Sequence, residues 1–350
     1  SPHPPSGKPA RFFYKQGMEV SAPASPVLSD PFGRTVDYLR VSVTDRCNLR
    51  CTYCMPRRFR GFEQPGHWLT LEEITRVVAA FSRMGTRRVR LTGGEPLLRK
   101  GLLELAANIA ALSGIDDLSL TTNGTQLGRQ ALLLRSAGVQ RLNVSLDSLR
   151  HECVQHITGN DCLDHVLDGL RAAQRAGFER IKINMVPIAG VNEHDIEPMV
   201  AFCMEHGFVL RLIEAMPVGE QGRQTQGVPL GPLLEDLQQR FGLVRCTMPL
   251  GGGPARYWTS PGTGFTLGLI TPLSQHFCET CNRVRLSVDG TLYLCLGQED
   301  KFELRPLLRA GCSDAELEHA IRQAITLKPE RHDFLARPEK IVRFMSMTGG

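Results

Sequence analysis

Residues 38–56 read YLRVSVTDRCNLRCTYCMP. The first half is a strand in phase. Leu39, Val41 and Val43 alternate with Arg40, Ser42 and Thr44, the period of a chain with one apolar and one polar face. The second half, Cys47-x-x-x-Cys51-x-x-Cys54, begins where that strand ends. A tetrahedral zinc or an iron–sulfur cluster is normally held by four protein ligands. Three cysteines leave one metal position open, and an open position is where substrate or cofactor binds. A second incomplete triplet lies far downstream, Cys278-x-x-Cys281 followed by Cys295.

Working outward, the same pattern repeats to about residue 215: short apolar strand, loop, amphipathic helix. The strands read near 38–44, 87–92, 117–122, 140–146, 180–186 and 208–214. The helices read near 70–84, 101–112, 128–137, 164–176 and 195–206, the first opened by a capping box at Thr70 and Glu73. Six strands alternating with helices predict an α/β fold, a parallel sheet or partial barrel with right-handed crossovers. The polar face carries Arg40, Arg88, Arg90, Asn143 and Lys182. An ordinary barrel fills its interior with Val, Ile and Leu. Buried cations need partners, so this lumen is expected to receive a polar, anionic ligand. The intervening helices argue against a solvated antiparallel face.

Beyond the sixth strand the sequence predicts a Gly/Gln-rich linker at 217–229, a helix near 230–241 and a Gly-rich stretch at 249–254. A small β module near 256–296 and a helix near 314–326 follow. Residues 1–33, rich in Pro, Ser and Gly, read as a disordered arm. The expected organisation is therefore an arm (1–33), a barrel (34–216) and a C-terminal module (217–350).

Composition narrows the class. The chain has 350 residues, 42% apolar content and a formal charge of +5, enough for one large domain with a core and too little charge to single out nucleic acid. No basic stripe is evident. No run of about 18 apolar residues suggests a membrane span. Eleven cysteines, an odd number clustered as C-x-x-C, point to metal or redox chemistry in a reducing compartment. No secretory signal pattern is expected to act at the N-terminus.

Two further segments carry chemistry. Thr92-Gly93-Gly94-Glu95-Pro96 ends the second strand; its glycines allow close approach by a ligand, and Glu95 offers a carboxylate to an ammonium. A lone Gly-Gly would be a plain turn. Asp289-Gly290 signals a two-residue hairpin, pairing Val288 with Thr291, Leu286 with Tyr293 and Val284 with Cys295. That hairpin returns Cys295 to Cys281 and can assemble a three-cysteine site. Arg283 and Arg285 share one face. A zinc site completed by His276 or Glu279 is the competing assignment.

A Cys triplet after strand one and a GGEP segment after strand two resemble the radical S-adenosylmethionine (SAM) superfamily. LRVSVTDRCNLRCTYCMP, VRLTGGEPLLR, LTTNG, LNVSLDS, IKINMV, RLIEAMPVG, HFCETCNRVRLSVDG and the terminal Gly349-Gly350 are similar to segments of one family within it, the MoaA family of GTP 3′,8-cyclases. The resemblance implies a partial (β/α)6 TIM-like barrel with a small C-terminal α+β module. It implies two [4Fe–4S] clusters, held by Cys47, Cys51 and Cys54 and by Cys278, Cys281 and Cys295. It implies SAM contacts at Tyr53, Gly93, Gly94, Glu95, Ser145 and Met216. It implies GTP contacts at Arg40, Arg90, Thr121, Lys182, Arg283, Val284 and Arg285. Arg40, Gly349 and Gly350 would act at the reacting centre, the Gly-Gly tail entering the active site.

The resemblance further implies a cytoplasmic lyase of molybdenum cofactor biosynthesis, monomeric or homodimeric. Its partners would be a one-electron donor of flavodoxin or ferredoxin type and, for the product, the cyclic pyranopterin monophosphate synthase. No nucleic-acid or membrane partner is implied. The alternatives are a peptide-modifying radical SAM enzyme with an auxiliary cluster, and a zinc-binding interaction module.

Overall fold

A computed structural model describes residues 27–247 and 250–349. Six strands lie side by side in chain order: β1 (Tyr38–Ser42), β2 (Arg88–Thr92), β3 (Asp117–Thr122), β4 (Arg141–Ser145), β5 (Ile181–Met185) and β6 (Val209–Ile213). Every neighbouring pair among them is parallel. Helices α1 (Leu71–Arg83), α2 (Leu102–Ala110), α3 (Leu127–Ser136), α5 (Leu163–Arg175) and α6 (Ile196–His206) cover the apolar face, as the periodicity predicts. A helix α4 (His151–Thr158) was not expected, because its eight residues fall short of a clear helical repeat.

The alternation works as read. Leu39, Val41, Val89, Leu91, Leu142, Val144, Ile183 and Leu210 are fully buried against the helices, each such side chain contributing roughly 1.5–3 kcal/mol. Their polar neighbours turn the other way. Thr70 and Glu73 form the capping box of α1 in both directions, at 3.1 and 2.8 Å. Ser313 and Glu316 repeat the device on helix Asp314–Ile325.

The C-terminal part extends both edges of the barrel sheet. Strands β7 (Val244–Cys246), β8 (Arg256–Thr259) and β9 (Thr266–Ile270) form a meander whose last strand pairs parallel with β6. Strand β10 (Arg283–Leu286) pairs parallel with β1, followed by β11 (Thr291–Tyr293) and β12 (Lys301–Glu303). Among the described residues the result is one twelve-stranded sheet.

Four expectations are corrected. The hairpin pairs Arg285 with Tyr293 and Leu286 with Leu292, one residue away from the expected register. The turn has three residues, closed by the Ser287 N–H to Thr291 carbonyl bond of 2.9 Å, with Gly290 at φ +86°. Asp289 and Ser287 side chains cap the Thr291 N–H, which favours the longer turn. The linker at 217–229 contains a short helix, Gly219–Gln224. The N-terminal arm lies outside the described residues as far as residue 26, but residues 27–33 pack on the barrel. Leu28 is buried and donates to the Met84 carbonyl at 2.8 Å. Among the described residues no helix is long and apolar enough to cross a membrane.

Candidate active site: two cysteine triplets on one polar lumen

The first triplet follows β1 directly. Cys47, Cys51 and Cys54 border an open cavity of about 1040 Å³ together with Tyr53, Gly93, Gly94, Thr121, Asn123, Ser145 and Met216. Its hydrogen-bond donors are neutral: Cys47 Sγ accepts the Leu49 N–H at 3.4 Å and the Asn123 amide at 3.7 Å. Burial pushes the Cys47 thiol up to about 11 and Cys54 up to about 12.

The GGEP segment explains how this loop is held. Gly94 and Glu95 donate to the Thr44 and Arg46 carbonyls at 2.8 Å each. A Cβ on Gly93 would sit 2.2 Å from the Thr44 oxygen, and one on Gly94 would sit 2.2 Å from the Arg46 oxygen. Both glycines therefore exist for close backbone approach. Glu95 departs from its expected role. It is fully buried, and its carboxylate accepts the Leu97 N–H, the Thr122 hydroxyl and the Asn123 N–H at 2.7–3.0 Å. It fixes the turn that carries Asn123 and does not border the cavity. Tyr53 Oη donates to Asp147 at 2.7 Å, which orients the ring. Burial raises Asp147 to about 6.

The second triplet borders a cavity of about 730 Å³ with Arg40, Arg90, Arg211, Arg283 and Arg285. Asn184, Ile213 and Met216 line both cavities, so the spaces faced by the two triplets adjoin. The hairpin's true register makes this work. Arg285 and Tyr293 share a face, and continuing that register puts Cys295 on the face of Arg283. The expected register would have set Cys295 with Val284. The Val284 side chain instead lies in the core beside Leu39, turned away from the lumen.

The lumen cations stand in a row. Parallel register places Arg285 beside Arg40, Arg40 beside Arg90, and Arg90 beside Ser119. Each arginine is about 6% exposed. Among the described residues Arg40, Arg283 and Arg285 keep a buried Nε without a partner and the Tyr38 hydroxyl is likewise unpartnered, its ring under both Arg40 and Arg90. Burial and the charges of Arg90 and Arg285 push Arg40 well below its usual value. Burial first, then Arg283, brings Arg285 down to about 10. Lys182 sits below the cavity on the Leu250 carbonyl (2.5 Å) and the Tyr257 hydroxyl (3.3 Å). Burial, then Arg211 and Arg141, bring it down to about 6. A polyanion would relieve every one of these shifts. Thr121 faces the first cavity rather than the second, its hydroxyl buried and unpartnered.

The tail reaches this space. Met345 and Ser346 border the first cavity beside Cys54. Gly349 has φ +69°, and a Cβ there would lie 2.4 Å from the Thr92 side chain. Gly350 lies outside the described residues. The buried Arg343 anchors the tail by donating to the Cys295, Leu296 and Gln298 carbonyls and to Glu299 at 2.5–3.0 Å.

Sequence reading missed Arg211, Asn123, Arg343 and Lys328. Arg211 was detectable, since Leu210 and Leu212 flank it in strand phase; its guanidinium bonds Asn184 and Asn143 at 2.8 and 2.6 Å. The other three act through long-range contacts with no local signal.

The donor chemistry fits a polynuclear cluster at each triplet. Three thiols border each cavity, and His332 also lines the second, its Nε2 on the Pro272 carbonyl at 2.7 Å.

Comparison with known proteins gives the class. Residues 41–203 match the radical SAM superfamily and residues 208–334 match Molybdenum Cofactor Synthesis C. The fold resembles Streptococcus suis SuiB bound to S-adenosylmethionine, with TM-score 0.59 at 14% identity, covering 85% of this chain and 73% of that one. The chain belongs to the radical SAM superfamily, and within it to the GTP 3′,8-cyclase family. Proteins of that name from Ectopseudomonas mendocina and Rhizobium etli are each 47% identical to it. They cover 92% and 95% of this chain, and 98% and 96% of their own lengths. One from Paracoccus denitrificans is 46% identical, covering 96% of this chain and 98% of its own.

Proposed function

We infer that this enzyme converts GTP to (8S)-3′,8-cyclo-7,8-dihydroguanosine 5′-triphosphate, the first step of molybdenum cofactor biosynthesis. The observation that carries the inference is the row of buried arginines, three of them with an unpartnered Nε, lining a lumen with a cysteine triplet at each end. A [4Fe–4S] cluster on Cys47, Cys51 and Cys54 with SAM would supply one-electron radical chemistry, and one on Cys278, Cys281 and Cys295 would hold the nucleotide. The chain's own residues bind, orient and exclude water.

Tyr53, Gly93, Gly94, Ser145 and Met216 line the SAM side; Glu95 acts one step back, by holding the turn of Asn123. Arg40, Arg90, Arg283 and Arg285, with Lys182 beneath, receive the triphosphate. Arginine forks suit phosphate oxygens, and the lysine serves as a point charge. Arg40, in the middle of β1 and seven residues before Cys47, would reach the reacting purine. Thr121, which lines the first cavity, would reach the nucleotide from the SAM side. The contact at Val284 would be through its backbone, since its side chain is in the core. Gly349, where only a residue without a side chain fits beside Thr92, would act at the mouth, with Gly350, outside the described residues, expected to follow it. In this division residues 34–216 carry SAM and residues 217–350 carry the second cluster. A flavodoxin- or ferredoxin-type donor supplies electrons, the cyclic pyranopterin monophosphate synthase takes the product, and the free cysteines suit the cytoplasm.

Anaerobic incubation with SAM, reductant and GTP tests the assignment. The expected product has the mass of GTP, because one hydrogen is removed from the ribose and one is returned to the cyclised purine. Deoxyadenosine formed without conversion of GTP would overturn it.

A further inference from the structure

Lys328 is a buried cation without an assigned task. It follows helix Asp314–Ile325 and its N–H donates to the Ile325 carbonyl at 3.0 Å. It is 2% exposed. Among the described residues no carboxylate pairs with it. Its ammonium instead meets Cys281 Sγ at 3.6 Å. The same sulfur receives Arg283 Nη2 at 3.7 Å. The donors to Cys47, by contrast, are a backbone N–H and an amide.

The contact is held from both sides. Arg34 donates to the Cys278, Pro329 and Glu330 carbonyls at 2.6 Å each, and is itself fixed by Asp30 at 2.6 Å. This clamp ties the turn after Lys328 to the turn that carries Cys278. A buried ammonium is costly unless an anion answers it. Here the answering group is a ligand thiolate of the second triplet.

We propose that Lys328 sets the reduction potential of the second cluster, raising it by stabilising the more negative, reduced state through the Cys281 sulfur. Donors and cations at cluster sulfurs act in this direction. The step is a one-electron reduction in which no bond forms or breaks. The proposal rests on Cys278, Cys281 and Cys295 holding a [4Fe–4S] cluster.

The test is an anaerobic redox titration of the holoenzyme followed by electron paramagnetic resonance. The signal that shifts on adding GTP marks the second cluster, and the one that shifts on adding SAM marks the first. Lys328→Met keeps length and loses charge and donor. At a fixed poise its GTP-responsive cluster is expected to show a ratio of reduced to oxidised form about tenfold lower, about 59 mV for a one-electron couple. The SAM-responsive couple should not move. Lys328→Arg should restore the potential, and Lys328→Gln, a neutral donor, should fall between. Should the Met variant lose the cluster, the Arg and Gln variants still carry the comparison. Coincident midpoints in wild type, Gln and Met variants, or equal shifts of both clusters, would overturn the proposal. A wild-type protein with no GTP-responsive signal would instead overturn the reading of the second triplet.

Discussion

Around Cys47, Cys51 and Cys54 the donors are neutral and the thiols are pushed up by burial. Around Cys281 burial is outweighed by Arg283 and Lys328, which bring that thiol down to about 6. One lumen thus joins two sites of like composition and unlike surroundings. The first site suits an electron donor, since burial there outweighs the charge of Arg50, the cation that acts on Cys47 and Cys54. The cationic site suits retention of an anionic substrate and of charge. Position in the chain explains the contrast: the first triplet sits in a loop at the strand ends, while the second hangs on β10, whose own arginines line the lumen.

The sharpest way to break the comparison is to remove one site at a time. Cys51→Ser should lose one cluster and abolish SAM cleavage. Cys281→Ser should retain the SAM-responsive cluster but abolish GTP cyclisation. Iron content, deoxyadenosine yield and product yield separate the cases; loss of the same activity in both variants would merge the two roles.

Next in size is the phosphate grip. Arg285→Ala should weaken GTP binding by roughly 1–3 kcal/mol, and guanosine binding much less. Calorimetry with both ligands decides, and equal losses would make the arginine a support of the hairpin. A smaller effect is expected at the tail. Gly349→Ala combines a positive φ with a Cβ 2.4 Å from Thr92, so product per deoxyadenosine should fall severalfold while both clusters remain. Unchanged yield would place the tail outside the reaction.

The smallest effect concerns protons. Lys182, at about 6, is mostly neutral at pH 7.5. A bound triphosphate raises it, so binding takes up a fraction of a proton. The stabilisation of the bound state is full below about pH 6 and fades as pH rises through the bound-state value, while proton uptake is confined to the window between the free and bound values. Binding enthalpies in buffers of different ionisation heat measure it; no uptake in wild type, or the same uptake in Lys182→Met, would remove Lys182 from the grip.

Much of this was legible in short-range pattern. Strand alternation announced the polar lumen because side chains in a strand switch faces at every residue. The cysteine spacing announced the open sites. What failed depended on detail beyond spacing. The hairpin slipped by one residue because Ser287 and Asp289 side chains stabilise a three-residue turn. Glu95 looked like a ligand because two of its three donors, the Thr122 hydroxyl and the Asn123 N–H, come from another segment. Lys328 and Arg343 reach their partners across long sequence separations, which no local pattern records.

The central claim is that radical chemistry begun at the first triplet ends on a nucleotide held by the second. GTP carrying deuterium at the ribose 3′ position tests it in one anaerobic turnover. Deuterium in the 5′-deoxyadenosine, with an unlabelled cyclised product, is the predicted result. Unlabelled 5′-deoxyadenosine beside intact deuterated GTP would contradict it.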